Sequence, residues 1–217
     1  MNRAVHWAAL FFFCAFIACE AERARPALSP EATPQSALPA SAANIPSRGP
    51  VNAPVVLQVF SDFECPFCAD IVATLDQLER EFPGRLRIVW RNLPLPAHGH
   101  ARLAAAAALE AHAQRGNAGF WQMHDLIWQG AEPNRAALTR YAQKLGLDGA
   151  RFSRALDDKQ HDAAIDRDIA LADATGIPAT PTCIINGQFV VGAQPIEEFR
   201  AVVERALSAA RTQPRPH

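Results

Sequence analysis

Cys65 and Cys68 are the residues best placed to do chemistry in this sequence, because a strand pattern changes to a helix pattern immediately around them. The apolar run at 55–60 predicts a buried strand, and apolar residues take up helical spacing from the cysteines onward. Cysteines three apart at a helix start lie on one side and can form and break a small disulfide ring. The helix dipole stabilises a thiolate at the first cysteine, and Pro66 suits the first helical turn. The arrangement predicts a dithiol redox site.

The same pair of cysteines has two plainer interpretations. A CxxC pair is half of a zinc site, but no second CxxC or HxxxH pair follows in this sequence. A structural disulfide is also possible, although so short a ring holds little of the fold together. Redox chemistry is favoured, and two alternatives stay open: a metal-binding carrier that uses Cys65, Cys68 and Cys183, and a non-catalytic binding module with a structural bridge.

Two stretches of the chain carry a family resemblance. The stretch at 59–68, VFSDFECPFC, resembles the active-site segment of DsbA-like thiol:disulfide oxidoreductases of the thioredoxin superfamily. A second stretch at 176–187, GIPATPTCIING, resembles the segment in which that family holds a cis-proline loop facing the CxxC pair. The resemblance covers residues 51–207. It implies an α/β protein with a thioredoxin fold and an inserted helical domain at about 99–175.

The resemblance also implies roles for individual residues. Cys65 would be the attacking, partly exposed thiolate, and Cys68, one turn in, would resolve the mixed disulfide. The residues implied to contact substrate are Thr180, Pro181, Pro66 and Phe67. Substrates would be other exported proteins with cysteines, a separate redox partner would recycle the pair, and no cofactor is implied. A stabilised thiolate favours the reduced enzyme and so makes it an oxidant, although Phe67 cannot donate a hydrogen bond to the thiolate, which predicts a weaker one. A reductase that serves one client stays open.

One position departs from the family pattern. Relatives commonly carry a Glu directly before the Phe of the strand, where it accepts or relays the proton of the buried cysteine, and this chain has Val59 there. Gln58 is adjacent, but alternation along the strand places it on the other face. Asp62 and Glu64 lie in the turn, where we expect them to be solvated. The family's proton-transfer assignment therefore has no counterpart in this sequence.

The N-terminal residues predict export. Arg3 and the apolar stretch at 7–18, which is too short to span a membrane, are typical of a secretory signal peptide, placed at 1–18. The stretch at 16–19, FIAC, resembles a bacterial lipobox whose cysteine, Cys19, is lipidated after cleavage. Ordinary cleavage nearby and an uncleaved anchor are the alternatives. The expected location is the bacterial periplasm or cell envelope, with a lipid anchor in a membrane.

Residues 19–50 are predicted to be a tether. They are rich in Ala, Pro, Ser and Glu and have no hydrophobic periodicity, so this composition cannot bury a core. The folded domain is placed at 51–210, followed by a tail at 211–217. Since the tether leaves no room for the N-terminal dimerisation domain of the superfamily's disulfide isomerases, we expect a monomer.

The five cysteines do not all pair. Cys14 would leave with the signal peptide, Cys19 would carry lipid, and Cys65 and Cys68 would pair, which leaves Cys183 alone. We expect Cys183 to be a buried, inert thiol, because free cysteine packs as a small hydrophobe. A third redox or metal-binding sulfur beside the CxxC pair is the alternative.

The remaining pattern fits the implied architecture. Helical segments fill the region from about 100 to 175, with breaks predicted at Gly116, 132–134 and 146–149. Asn134 and Asp148 are predicted helix N-caps. The other predicted elements are strands at 86–90, 182–185 and 189–191, a hairpin turn at Asn186–Gly187, and a last helix from about Pro195.

Several function classes are disfavoured. The formal net charge is −1 with no basic stripe, which argues against binding to nucleic acid. No Gly-rich phosphate loop joins a strand to a helix, so a nucleotide cofactor is not implied. His98 and His100 flank a loop before the first helix of the insertion; we expect them to be exposed, and a role in shaping the site is the alternative.

Overall fold

The computed structural model of the protein describes residues 45–212, which form a mixed α/β fold. The strands within this range are β1 (Ser47–Arg48), β2 (Val55–Ser61), β3 (Leu86–Asn92), β4 (Thr182–Ile185) and β5 (Gln188–Val191). The helices are α1 (Pro66–Glu81), α2 (Ala101–Gln129), α3 (Arg135–Lys144), α4 (Gly149–Asp157), α5 (Asp162–Ala174) and α6 (Ile196–Thr212). The predicted thioredoxin fold with a helical insertion is confirmed.

The five strands form one sheet in the order β1-β3-β2-β4-β5. β2 pairs with β3 in parallel and with β4 antiparallel, so it has neighbours on both sides. A parallel pair needs a crossover, and α1 supplies the one between β2 and β3. The carboxyl end of β2 therefore leads from the middle of the sheet directly into the cysteine turn and α1.

Alternation along β2 separates two apolar clusters. Leu57 and Val59 join the main core with apolar residues of α1, α2 and α6. Phe60 belongs to a smaller cluster on the other face, with Ile184 of β4 and Ala172 of α5. Gln58, on the same face as Phe60, accepts a hydrogen bond from Nε of Arg91 at 2.9 Å, as alternation predicted. Helices thus cover both faces of the sheet beneath the turn.

The breaks predicted within the helical insertion are present in the structure. α2 is kinked at Gly116, whose φ of 62° lies in the region that favours glycine. Asn134 accepts a hydrogen bond from the Ala137 N–H at 3.0 Å, and Asp148 accepts one from the Arg151 N–H at 2.9 Å, so both predicted N-caps are confirmed. The break between α4 and α5 was not predicted, because no Gly or Pro marks it.

The first strand is a difference from the sequence expectation. Ser47 and Arg48, predicted to belong to the tether, pair antiparallel with the outer edge of β3. Arg48 donates to Asp76 at 2.7 Å and lies 3.2 Å from Glu79, both on α1. A two-residue strand carries too little periodicity to be recognised. At the other end, α6 continues to Thr212, into the predicted tail at 211–217.

The residues that predict export lie largely outside the described range. The signal peptide at 1–18, Cys19 and most of the tether at 19–50 precede residue 45, where the description begins. Within residues 45–212, no helix is both long enough and apolar enough to cross a membrane.

Candidate active site

The two cysteines of the CxxC pair meet at the N-terminus of α1. Cys65 is the N-cap residue, with extended backbone angles, and Pro66 occupies the first turn. The Cys68 N–H donates to the Cys65 carbonyl at 3.0 Å, which brings the third helical residue under the N-cap. Both cysteines are free thiols and approach each other to 3.6 Å. Thiols this close are candidates for a disulfide, in which the sulfurs lie about 2.05 Å apart.

Cys65 is less accessible than the sequence suggested. It was expected to be partly exposed, yet it retains only 4% of its accessible surface. The two residues between the cysteines, Pro66 and Phe67, are exposed instead, and Phe67 retains 61%. A large aromatic side chain therefore stands in solvent beside a nearly covered sulfur.

The loop before β4 lies against Cys65. Cys65 Sγ is 3.5 Å from the Thr180 carbonyl oxygen, to which it donates, and the Thr180–Pro181 peptide bond is cis. The loop is held by the Thr182 hydroxyl, which donates to the Ala179 carbonyl at 2.7 Å. Thr180 Oγ1 is buried and has no hydrogen-bond partner within the described residues. The two segments singled out in the sequence, more than a hundred residues apart, thus meet at Cys65.

Cys68 is enclosed beneath Cys65. It is 1% exposed, and burial raises the pKa of its thiol to about 12, although a hydrogen bond from the Ser61 hydroxyl opposes this shift. The Asp62 N–H also donates to Cys68 Sγ, at 3.5 Å. Cys68 is therefore a neutral thiol at neutral pH. The contact of Ser61 with Cys68 was not predicted, because a polar residue at the end of an apolar strand does not indicate which group it will contact.

The expectation that Asp62 is solvated was wrong. Its carboxylate is buried, with Oδ1 accepting from the Glu64 N–H at 2.7 Å and Oδ2 from the Leu95 N–H at 2.6 Å. His98 Nδ1 lies 2.8 Å from Oδ2, so this histidine is paired rather than free in solvent. The Asp62 carboxylate can be buried because it accepts hydrogen bonds from these two backbone N–H groups. It joins the cysteine turn to the loop that follows β3.

Glu64 is also engaged rather than simply solvated. Its Oε2 accepts from the His100 N–H at 2.6 Å, and its Oε1 lies 3.4 Å from His100 Nδ1. The same ring nitrogen is 3.1 Å from Glu132, beyond the end of α2. His100 therefore connects the cysteine turn to the helical insertion.

Phe63 joins the turn to the core of the insertion. Its ring stacks on Trp90 of β3 with centroids 4.9 Å apart, and it lies 5.4 Å from the ring of Trp128. Trp128 Nε1 donates to Nε2 of the buried His124 at 3.0 Å. Burial lowers the pKa of His124, so its ring is neutral and can accept this bond.

Val59 and Cys183 lie side by side on neighbouring strands of the sheet. They are register partners on β2 and β4, and both are buried in the main core. Burial raises the pKa of the Cys183 thiol, which is therefore neutral. Its burial fits the expected inert thiol. Among the described residues, no group of three or more His, Cys, Asp or Glu side chains is arranged to hold a metal ion.

Comparison with known proteins agrees with this geometry. A family model described as Thioredoxin matches residues 42–205. The structure of oxidised BdbD from Bacillus subtilis is similar, with a TM-score of 0.69 and 23% identity over 76% of this chain and 94% of that one. A thioredoxin-like oxidoreductase from Silicibacter pomeroyi matches with a TM-score of 0.68 and 27% identity over 76% of this chain and 93% of its own.

One curated relative is a much longer protein than this chain. The Na(+)/H(+) antiporter NhaA 3 of Salinispora tropica is 40% identical over 169 residues, which are 77% of this chain and 25% of that protein. The chain thus spans about a quarter of the length of the curated relatives that it matches. Because a family model matches well over half of its residues, the chain belongs to the thioredoxin family.

Proposed function

We propose that the protein is an exported thiol:disulfide oxidoreductase that exchanges disulfides with the cysteines of other exported proteins. The observation that carries the proposal is the approach of Cys65 and Cys68 to 3.6 Å at the start of α1, beneath the Thr180 carbonyl. The similar protein from Silicibacter pomeroyi is named an oxidoreductase, which supports the same class of reaction.

The roles of the two cysteines follow from their positions. Cys65 is the N-cap residue of α1, where the positive end of the helix dipole favours negative charge on its sulfur. It forms the mixed disulfide with a substrate cysteine. Cys68, buried directly behind it, is the sulfur that leaves when a substrate thiolate attacks Cys65 and opens the Cys65–Cys68 bond, and the sulfur that attacks the mixed disulfide when this bond closes again. Thr180, Pro181, Pro66 and Phe67 surround the entrance and contact the substrate chain.

The proposed direction is oxidation of substrates. A stabilised Cys65 thiolate favours the reduced enzyme, which makes the disulfide form an oxidant. Phe67 has no polar hydrogen to donate to that thiolate, and its side chain is exposed. The protein is therefore a milder oxidant than one with a donor at this position. A separate redox partner recycles the pair.

The proposed site of action is the cell envelope, close to a membrane. The signal-like segment at 1–18 and the lipobox-like Cys19 support export and a lipid anchor. The curated relative named as an Na(+)/H(+) antiporter has a segment similar to this chain, which supports the placement of such a domain beside a membrane. The domain acts as a monomer, carried on the predicted tether that precedes β1.

Covalent trapping tests the proposed roles. In Cys68→Ser, Cys65 can form a mixed disulfide that nothing resolves, so complexes with client proteins accumulate on non-reducing gels and disappear on reduction. Cys65→Ser traps far less, because the remaining thiol is buried and neutral. Cys183→Ser, in the Cys68→Ser background, is the matched control and leaves trapping unchanged. Equal trapping by both single variants, or trapping that requires Cys183, contradicts the proposal.

A further inference from the structure

Cys68 must carry negative charge during disulfide exchange. When a substrate thiolate attacks Cys65, a Cys65–substrate bond forms, the Cys65–Cys68 bond breaks, and the electron pair goes to the Cys68 sulfur. In the reverse step, Cys68 loses its proton and attacks Cys65, and the departing substrate thiolate takes up a proton. A buried charge without hydrogen-bond donors is costly, so some group must stabilise this sulfur.

The titratable groups around Cys68 do not meet this need. The residue beneath it on β2 is the apolar Val59, and its register partner Cys183 is a buried thiol. Cys65, on the same helix, is the other reacting sulfur. The carboxylate of Asp62 is an acceptor, and both its oxygens already receive backbone N–H groups, those of Glu64 and Leu95.

Two donors do reach the Cys68 sulfur. The Ser61 hydroxyl hydrogen-bonds to it, and the Asp62 N–H lies 3.5 Å from Sγ. Ser61 is 2% exposed, so water does not compete for its hydroxyl. Its backbone is fixed, because the Ser61 carbonyl accepts from the Leu93 N–H at 2.9 Å at the end of β2. The end of β2 therefore holds Ser61 in place, directly before the Asp62 N–H that contacts the sulfur.

We propose that the Ser61 hydroxyl, with the Asp62 N–H, stabilises the charge that develops on the Cys68 sulfur each time the Cys65–Cys68 bond opens or closes. This inference rests on the proposed function. Ser61 has no part in the charge on Cys65, which lies at the helix terminus. Losing this hydroxyl therefore slows only the steps in which Cys68 is the leaving group or the nucleophile.

Two reactions with reduced glutathione separate these steps. In the first, glutathione opens the Cys65–Cys68 disulfide, and Cys68 leaves. In the second, in a Cys68→Ala background, glutathione releases Cys65 from a Cys65–glutathione mixed disulfide, and Cys68 is absent. Both rates are followed by acid quenching and mass measurement of the intact protein. Since a hydrogen bond to a charged group is at stake, Ser61→Ala should slow the first reaction about 10-fold and leave the second unchanged.

Matched variants exclude a merely structural effect. Ser61→Thr keeps the hydroxyl and restores the wild-type ratio of the two rates. Ser47→Ala removes another buried hydroxyl, one that contacts Arg87, and leaves the ratio unchanged. A ratio that Ser61→Ala does not change, or that Ser61→Thr and Ser61→Ala lower equally, overturns the inference while the proposed function stands. A wild-type pair that glutathione does not open overturns both.

Discussion

Replacing Asp62 by Ala should destabilise the protein through the turn that holds the cysteines. The substitution removes the carboxylate that accepts the Glu64 and Leu95 N–H groups at 2.7 and 2.6 Å. A hydrogen bond to a charged group contributes about 1.5–3 kcal/mol. The lower figure applies here because the two donors, Glu64 and Leu95, are only partly buried. His98 is counted as zero, since its ring can turn to water. Two bonds then give a loss of about 3 kcal/mol in the free energy of unfolding.

Urea unfolding measures this loss directly. The midpoint should fall without a change in slope, because the surface exposed on unfolding stays the same. Asp62→Asn keeps one acceptor oxygen but turns an amide N–H₂ group toward one of the backbone donors, so its loss is intermediate. Asp70→Ala, an exposed position on α1, is the matched control and should change stability by no more than about 0.5 kcal/mol. A loss below about 1 kcal/mol for Asp62→Ala would refute the assignment of the turn to this carboxylate.

Three further predictions follow from the same structure. Burial lowers the pKa of His124 below its unfolded value, so the folded state binds the proton more weakly. The contribution of neutral His124 to the free energy of unfolding should be fully present above about pH 6.5 and be lost as the pH falls below it. In urea unfolding at pH 7 and pH 5, His124→Gln should therefore show a smaller loss of stability between the two pH values than the wild type. Phe67→His adds a donor beside Cys65 and should raise the reduction potential by about 30 mV, measured against glutathione. Cys19→Ser should move the protein from the membrane fraction to the soluble exported fraction, and a wild-type protein that carries no lipid mass would contradict this.

Local patterns predicted the elements that bring the site together. The alternating strand, the helix that begins at the cysteines and the Asn186–Gly187 turn all depend on residues close in sequence, and all are present. The β1 strand and the break after α4 were missed for a local reason as well. β1 has only two residues, and Lys159, which takes a φ of 52° at the break, has no sequence preference for that angle.

The parts of the site that were mispredicted depend on contacts between distant residues. Asp62 and His98 were expected in solvent, because acidic and histidine residues in turns usually are. Asp62 is buried because the fold brings the Leu95 N–H to its carboxylate, and His98 lies only 2.8 Å from the same carboxylate. The contact of Ser61 with Cys68 forms only when the turn between β2 and α1 brings the two residues together. No spacing rule along the chain encodes such contacts.

The reduction potential of the Cys65–Cys68 pair shows whether these two cysteines exchange disulfides. The purified protein is equilibrated with mixtures of reduced and oxidised glutathione, its free thiols are alkylated, and the redox state is read by intact mass. We expect one reversible two-electron transition within the range set by glutathione buffers, lost in Cys65→Ser and in Cys68→Ser and retained in Cys183→Ser. A pair that stays oxidised across the whole range would be a structural bridge and would contradict a role in disulfide exchange.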